Sequence, residues 1–287
     1  MTTVWEQVTA NAKLISLPEV YLRLKELLAQ PDYSIADVAL IIAQDPALTA
    51  RLLRLVNSPY FGLAAKVETV FRAVNMLGTQ QVHDLALATS IAHSFAGMPR
   101  EAVDMPKFWR RSVFCGLVSR GLAQAAQVQD SERLFVAGLL RDIGHLVMYQ
   151  TVPEPCRQAM LAAAQRDEPL YLVERELIGI DYARVGGTLM RLWELPSSLR
   201  EATEFHIEPG RALTFPIETY LVHLAALLVT AEEKGQEFGS GALEPRAESW
   251  DVTGLTVQQC LSVQSEFAEE ADRALDFFLP QSQVVNG

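Results

Sequence analysis

Residues 34–56 read SIADVALIIAQDPALTARLLRLV, and this stretch decides the fold class. Ser34 and Asp37 stand at capping-box spacing ahead of Val38, Leu40, Ile41 and Ile42. Asp45-Pro46 then supplies a cap residue and a first-turn proline before Leu48, Leu52, Leu55 and Val56, an apolar set at three- and four-residue spacing. Two short helices therefore follow one another, and Asn57-Ser58-Pro59 with Gly62 punctuates the chain after them. Working outward, Val67–Leu77 reads as a helix, Gly78-Thr79 stops it, and Gln80–Phe95 resumes. Beyond residue 100 the same spacing predicts helices near 107–127, 132–150, 154–166, 169–178, 182–193, 197–206, 216–234 and 256–279, with a Gly- and Pro-containing loop over Gly235–Arg246. No stretch alternates strictly between apolar and polar residues, and no repeat recurs at a fixed period, so the expected class is all-α and not a solenoid.

The chain has 287 residues, of which 49% are hydrophobic and 21% charged, ordinary globular usage. Its 24 Lys and Arg stand against 35 Asp and Glu, for a net charge of −11. The excess is C-terminal: residues 1–200 balance 20 against 20, whereas 201–287 hold 4 basic and 15 acidic residues. Such a balance repels polyanions and argues against duplex nucleic acid or an anionic membrane as partner. Cys115, Cys156 and Cys260 are dispersed in apolar stretches, which predicts neither a disulfide framework nor a CxxC metal site. The N-terminus lacks a basic-then-apolar leader, and the apolar-leaning run from Tyr220 to Ala231 is shorter than the ~18 residues of a membrane span. A cytoplasmic protein is expected. Gly97-Met98-Pro99 is the candidate boundary, giving an N-terminal helical half (1–97), a C-terminal helical half (98–235), and a loop with an acidic helix (236–287).

No phosphate-binding glycine loop, dinucleotide motif or GxSxG elbow is present. Gly138, Gly144, Gly186 and Gly187 are isolated in helical patterns, where glycine serves close helix packing. Five histidines, His83, His93, His145, His206 and His223, each have a bland reading as buried or surface residues. His83-Asp84 reads as a decoy, because adjacent side chains on a helix diverge by about 100°. Asp142 and His145 share a face at i and i+3, yet two ligands do not make a metal site. Asn57-Ser58-Pro59 reads first as a helix terminator and a turn. Its second reading is a surface for a protein partner, in which Arg51, Arg54, Asn57, Ser58, Tyr60 and Phe61 present basic and aromatic groups.

Several motifs in order carry a resemblance: Asp45-Pro46-Ala47-Leu48, Leu52 to Ser58, Ala73 to Gly78, Phe108-Trp109-Arg110-Arg111-Ser112, Phe135 to Leu146, and Gly179 to Gly186 with Leu195-Pro196. Together, over roughly residues 10–230, they resemble HDOD domains, relatives of the HD-domain phosphohydrolases. The resemblance implies a compact multi-helix signalling module that usually lacks the parent's catalytic metal set. It aligns the parent's first His with Arg111, its His-Asp pair with Arg141 and Asp142, the next His with Tyr182, a later His pair with Phe205 and His206, and the late Asp with Ala226. The cyclic-dinucleotide-cleaving HD-GYP motif is also missing, since residues 204–210 hold a single His and no Tyr-Pro.

These replacements predict a non-catalytic module with no metal and no cofactor. A guanidinium about 4 Å from a dication costs roughly 8 kcal/mol at an effective dielectric of 20, and arginine cannot relieve this by losing a proton. Asp142 is expected to pair with Arg111 or Arg141 in place of a metal bridge, and a sharper expectation is that the two arginines keep enough positive potential to capture a phosphate or nucleotide as regulator. The expected partner is a protein of a signalling pathway: a sensor, a response regulator or a cyclic-dinucleotide enzyme. The oligomeric state is open. The alternative is a divergent metal-dependent phosphohydrolase using Asp142 and His206, with His145, around one metal.

Overall fold

The computed structural model describes residues 4–15, 17–57, 66–95, 98, 103–129 and 131–278. Among these residues the secondary structure is helical and no strand occurs: α1 (Val4–Leu14), α2 (Glu19–Leu28), α3 (Ile35–Ala43), α4 (Pro46–Val56), α5 (Val70–Leu77), α6 (Thr79–Ser94), α7 (Met105–Ala125), α8 (Ser131–Leu140), α9 (Ile143–Thr151), α10 (Pro153–Arg166), α11 (Leu170–Leu177), α12 (Tyr182–Leu192), α13 (Ser197–Phe205), α14 (Pro216–Lys234), α15 (Glu248–Thr253) and α16 (Val257–Phe278). The elements gather into two bodies: α2 to α6 in one, and α1 with α7 to α15 and the α16 residues up to 268 in the other. No described helix is long and apolar enough to cross a membrane.

In the α2–α6 body the local signals act as read. The Ser34 hydroxyl accepts from the Asp37 backbone N–H and the Asp37 carboxylate accepts from that of Ser34, a complete capping box, while Asp45 caps α4 through the Leu48 N–H at 2.9 Å. Val38, Ile42, Leu48, Leu52, Leu55 and Val56 are buried, but Leu40 is 62% exposed, because it lies about 200° round the helix from Val38. Helix α5 starts at Val70 rather than 67, where Thr69 accepts from the Arg72 N–H, and it ends at Gly78, whose φ of +88° favours glycine.

Asn57 does more than end α4. Its amide nitrogen donates to the carbonyls of Leu53 and Val67 and its oxygen accepts from the Val67 N–H, all at 2.7 Å. The side chain thus stands in for a strand partner and fastens Val67 to the end of α4. Removing three part-buried hydrogen bonds at about 1 kcal/mol each predicts that Asn57→Ala loses about 2–3 kcal/mol in urea unfolding. Asn57→Asp should not rescue it, since a carboxylate would face two carbonyl oxygens.

In the larger body α7 packs along α8 and α14, α9 along α12, and α12 along α13, with α1 against α9 and α12. The glycines permit these approaches. A Cβ on Gly138 would stand 2.6 Å from the Cys115 carbonyl, and one on Gly187 2.5 Å from the Glu204 Cβ. One on Gly144 would run into the Tyr182 carbonyl and lie 2.6 Å from the Gly186 nitrogen, both backbone atoms that cannot turn aside. Gly144→Ala is therefore expected to force α9 and α12 apart at an overpacking cost of about 1–3 kcal/mol, read in urea unfolding. Gly186→Ala should cost less, because its nearest neighbour is a side-chain atom, the Thr203 methyl at 2.9 Å, and the nearest backbone atom stands at 3.4 Å.

Two sequence expectations change here. The single helix over 132–150 is two, α8 and α9, with the break at Arg141 and Asp142, where Asp142 leaves helical geometry (φ −95°, ψ 6°). Helices α1 and α2 lie outside the expected set, and so does the short α15. Its Trp250 meets Phe238 edge-on, with ring centroids 6.5 Å apart. The three cysteines are buried free thiols.

Candidate functional site

The break between α8 and α9 turns two neighbouring residues toward one place. Both are buried, Arg141 being 1% and Asp142 3% exposed. The Arg141 Nη2 lies 2.9 Å from the Asp142 Oδ2, and the Arg111 Nε, from α7, lies 3.4 Å from the same oxygen. Arg111 is further held from α14 by Glu233 at 3.4 Å and the Thr230 hydroxyl, also at 3.4 Å. Burial alone would raise the Asp142 pKa, but the two guanidiniums outweigh it and hold the carboxyl well below the usual carboxylate range. Ala226, half-buried in α14, offers no side-chain ligand; its carbonyl accepts from the Thr230 hydroxyl.

Tyr182 enters from the first turn of α12. Gly179, at φ +86°, turns the chain, Asp181 caps the helix through the Arg184 N–H at 2.8 Å, and the buried Glu174 accepts from the Tyr182 backbone N–H at 2.9 Å. Arg175 ties this turn down by bonds to Asp181 and, through both terminal nitrogens, to Glu208. The Tyr182 ring stacks on His145 with centroids 3.8 Å apart, and its hydroxyl lies 3.1 Å from the His206 Nε2. His206 Nδ1 is 2.8 Å from the Thr203 carbonyl, an acceptor only, so that nitrogen carries the proton and Nε2 accepts from Tyr182. His223 likewise donates from Nδ1 to the His206 carbonyl at 2.7 Å. Burial lowers both histidines to a pKa of about 4, and both are neutral at pH 7.

The structure thus brings Arg111, Arg141, Asp142, Tyr182 and His206 together, with Ala226 on the adjoining helix α14. Sequence reasoning did not assign roles to Glu174, Arg175, Thr230 or Glu233. Glu174 and Arg175 lie just before the Gly179 turn and Thr230 and Glu233 one to two turns after Ala226, but none stands in a motif that would mark it. Asp142 and His145 do not form a ligand pair: His145 turns to Glu174, with Nδ1 3.5 Å from its carboxylate, and to Tyr182. A metal does not fit these residues. His206 Nε2 is 4.0 Å from Asp142 Oδ1 and already accepts the Tyr182 hydroxyl hydrogen bond, and two guanidiniums stand at the other oxygen. Among the described residues no group of three His, Cys, Asp or Glu converges to hold a metal ion.

The second group of expected residues lies in the α2–α6 body. Arg51 and Arg54 are half-buried on α4 and Asn57 is the clamp described above, while Ser58, Tyr60 and Phe61 fall outside the described residues. His83 and Asp84 do meet, contrary to the helical-divergence expectation. Their side chains rotate together in the interior, with Nδ1 3.0 Å from Oδ1, Gln80 donating to the same oxygen, and Tyr21 packed on the His83 ring at 4.8 Å.

The chain is 27% identical over 196 residues to an uncharacterised protein of Treponema pallidum (strain Nichols), covering 66% of this chain and only 37% of that one. Its fold is similar to that of a Shewanella amazonensis SB2B protein named provisionally as a phosphohydrolase (TM-score 0.76, 22% identity, 96% and 97% of the two chains). It is also similar to that of an HDOD domain protein of unknown function from Geobacter sulfurreducens (TM-score 0.74, 20% identity, 96% and 99% of the chains). The HDOD domain model matches residues 14–209, through both the capped helices around Asp45 and the Arg141–His206 cluster, and the chain belongs to the HDOD domain family.

Proposed function

We propose that this chain is a non-catalytic signal-transduction module that works by binding a protein partner, with a sensor, a response regulator or a cyclic-dinucleotide enzyme as the kind of partner. One observation carries the reading: the guanidiniums of Arg111 and Arg141 both sit on the single carboxylate, Asp142, that a divalent metal would need. Exposed apolar side chains are consistent with docking. Leu22, Leu40, Phe71 and Met76 stay exposed on α2, α3 and α5, where α3 packs against both α2 and α5.

Elemental analysis of purified protein, paired with assays against phosphomonoesters and cyclic dinucleotides, tests the reading. The expected result is substoichiometric Fe, Mn, Ni and Zn and no turnover. Stoichiometric metal that disappears on Asp142→Ala, together with hydrolysis, would establish the divergent phosphohydrolase using Asp142 and His206 instead.

A further inference from the structure

Arg141 poses a problem that its ion pair does not solve. A guanidinium carries five N–H donors in a planar fork, and none of the Arg141 nitrogens has a hydrogen-bond partner although the side chain is 1% exposed. The contact to Asp142 is close in distance, but its N–H groups do not point along it. The other oxygen of the same carboxylate, Asp142 Oδ1, is a buried acceptor likewise without a partner. Arg111 differs in part: its terminal nitrogens meet Glu233 and Thr230, which leaves Nε as its one open donor, whereas all three Arg141 nitrogens are open. Buried donors and acceptors left open cost about 1–3 kcal/mol each, more when charged, so each calls for a partner that the protein itself does not supply.

We propose that Arg141 and Asp142 form a site for a protonated phosphate group, either inorganic phosphate or a phosphomonoester. Two phosphate oxygens accept from the Nε and Nη edge of Arg141 in the bidentate manner that a guanidinium favours. A phosphate hydroxyl donates to Asp142 Oδ1, which no fully deprotonated oxyanion can do. Arg111 and Glu233, whose side chains are 35% and 18% exposed, stand beside this pair and would have to swing aside to admit the anion. The proposal rests on the non-hydrolytic reading of this same site: phosphate is held there as a ligand and is not cleaved from anything.

The requirement for a ligand proton makes the test selective. Thermal unfolding and calorimetric titration of the full chain should be run with sodium phosphate, sodium sulfate and sodium chloride at matched ionic strength. Phosphate is expected to raise the melting temperature and bind one to one, at least about tenfold tighter than sulfate. Arg141→Lys should weaken phosphate binding about tenfold or more by removing the fork, and Asp142→Asn, which can donate to a bare oxyanion, should remove the preference over sulfate. If either variant fails to fold, the wild-type comparison of the two anions still decides. Equal binding of phosphate and sulfate, or water alone in the site with no phosphate effect at about 10 mM, would overturn the proposal while leaving the non-catalytic reading standing. Turnover of a phosphomonoester would instead overturn that reading.

Discussion

Asp142→Ala is expected to lower the unfolding free energy by about 3–5 kcal/mol, the range for breaking a buried charge cluster from one side. The loss is electrostatic in origin. Few atoms are removed, but Arg141 is left fully buried, cannot deprotonate and has only the weaker pull of Glu233, while Arg111 keeps Glu233 and can turn toward solvent. A second substitution separates this from a simple cavity effect. Combining Asp142→Ala with Arg141→Met, which removes the stranded charge at similar volume, should recover a large part of the loss, whereas two independent packing defects would add. Urea unfolding of the two single variants and the double variant completes the cycle. A double variant as unstable as the sum of the singles would contradict the pairing seen in the structure.

Stability should fall as the pH drops from about 6.5 to about 4, by about 3 kcal/mol for each of two histidines. His206 and His223 have folded pKa values lowered to about 4, in each case chiefly by burial. In the unfolded chain they titrate near 6.5. Between those values the unfolded state binds protons that the folded state does not, so the contribution is complete above about pH 6.5, is lost through this window, and stops changing once both states are protonated. Asp142 adds its loss only at lower pH, because its carboxyl is depressed and the unfolded value is near 3.9. The structural counterpart is the Tyr182 hydroxyl, which donates to the His206 Nε2 lone pair and loses that acceptor on protonation. Urea unfolding at several pH values should show an uptake of about two protons on unfolding near pH 5, reduced to about one in His223→Asn. A flat profile between pH 7 and 5 would contradict the neutral buried pair.

Much of the helical fold was legible because its signals are local. Ser34, Asp45 and Gly78 end or begin helices through bonds to residues within four positions, and such bonds can be read from spacing alone, whereas the apolar spacing points to Val67 and passes over the Thr69 cap that starts α5. The division of 132–150 was not legible, because the apolar run through Phe135, Leu139, Leu146 and Val147 continues across the break, and the turn at Asp142 comes just before the close approach of α9 to α12 at Gly144, which no local signal marks. Leu40 belongs to the apolar run that signals α3, yet burial follows the Val38 and Ile42 stripe and leaves it exposed. At the site, the family resemblance pointed to Arg111, Arg141, Asp142, Tyr182 and His206, which the structure does gather. The residues that hold them escaped notice. Glu174 reaches Tyr182 across eight positions and Arg175 reaches Glu208 across thirty-three, distances over which no sequence period carries information. The distinction between the arginines also required coordinates, since only geometry shows Arg111 met by Glu233 and Thr230 and Arg141 left with open donors.

The central claim is that positive side chains close the Asp142 carboxylate to a divalent metal. Diffraction data collected at the manganese edge from crystals of this chain grown with Mn²⁺ would test it most directly. The account predicts no anomalous peak at the site and both guanidiniums on Asp142, near the 3.4 Å and 2.9 Å separations found here. A manganese peak bonded to Asp142 and His206, with Arg111 and Arg141 turned away, would contradict it.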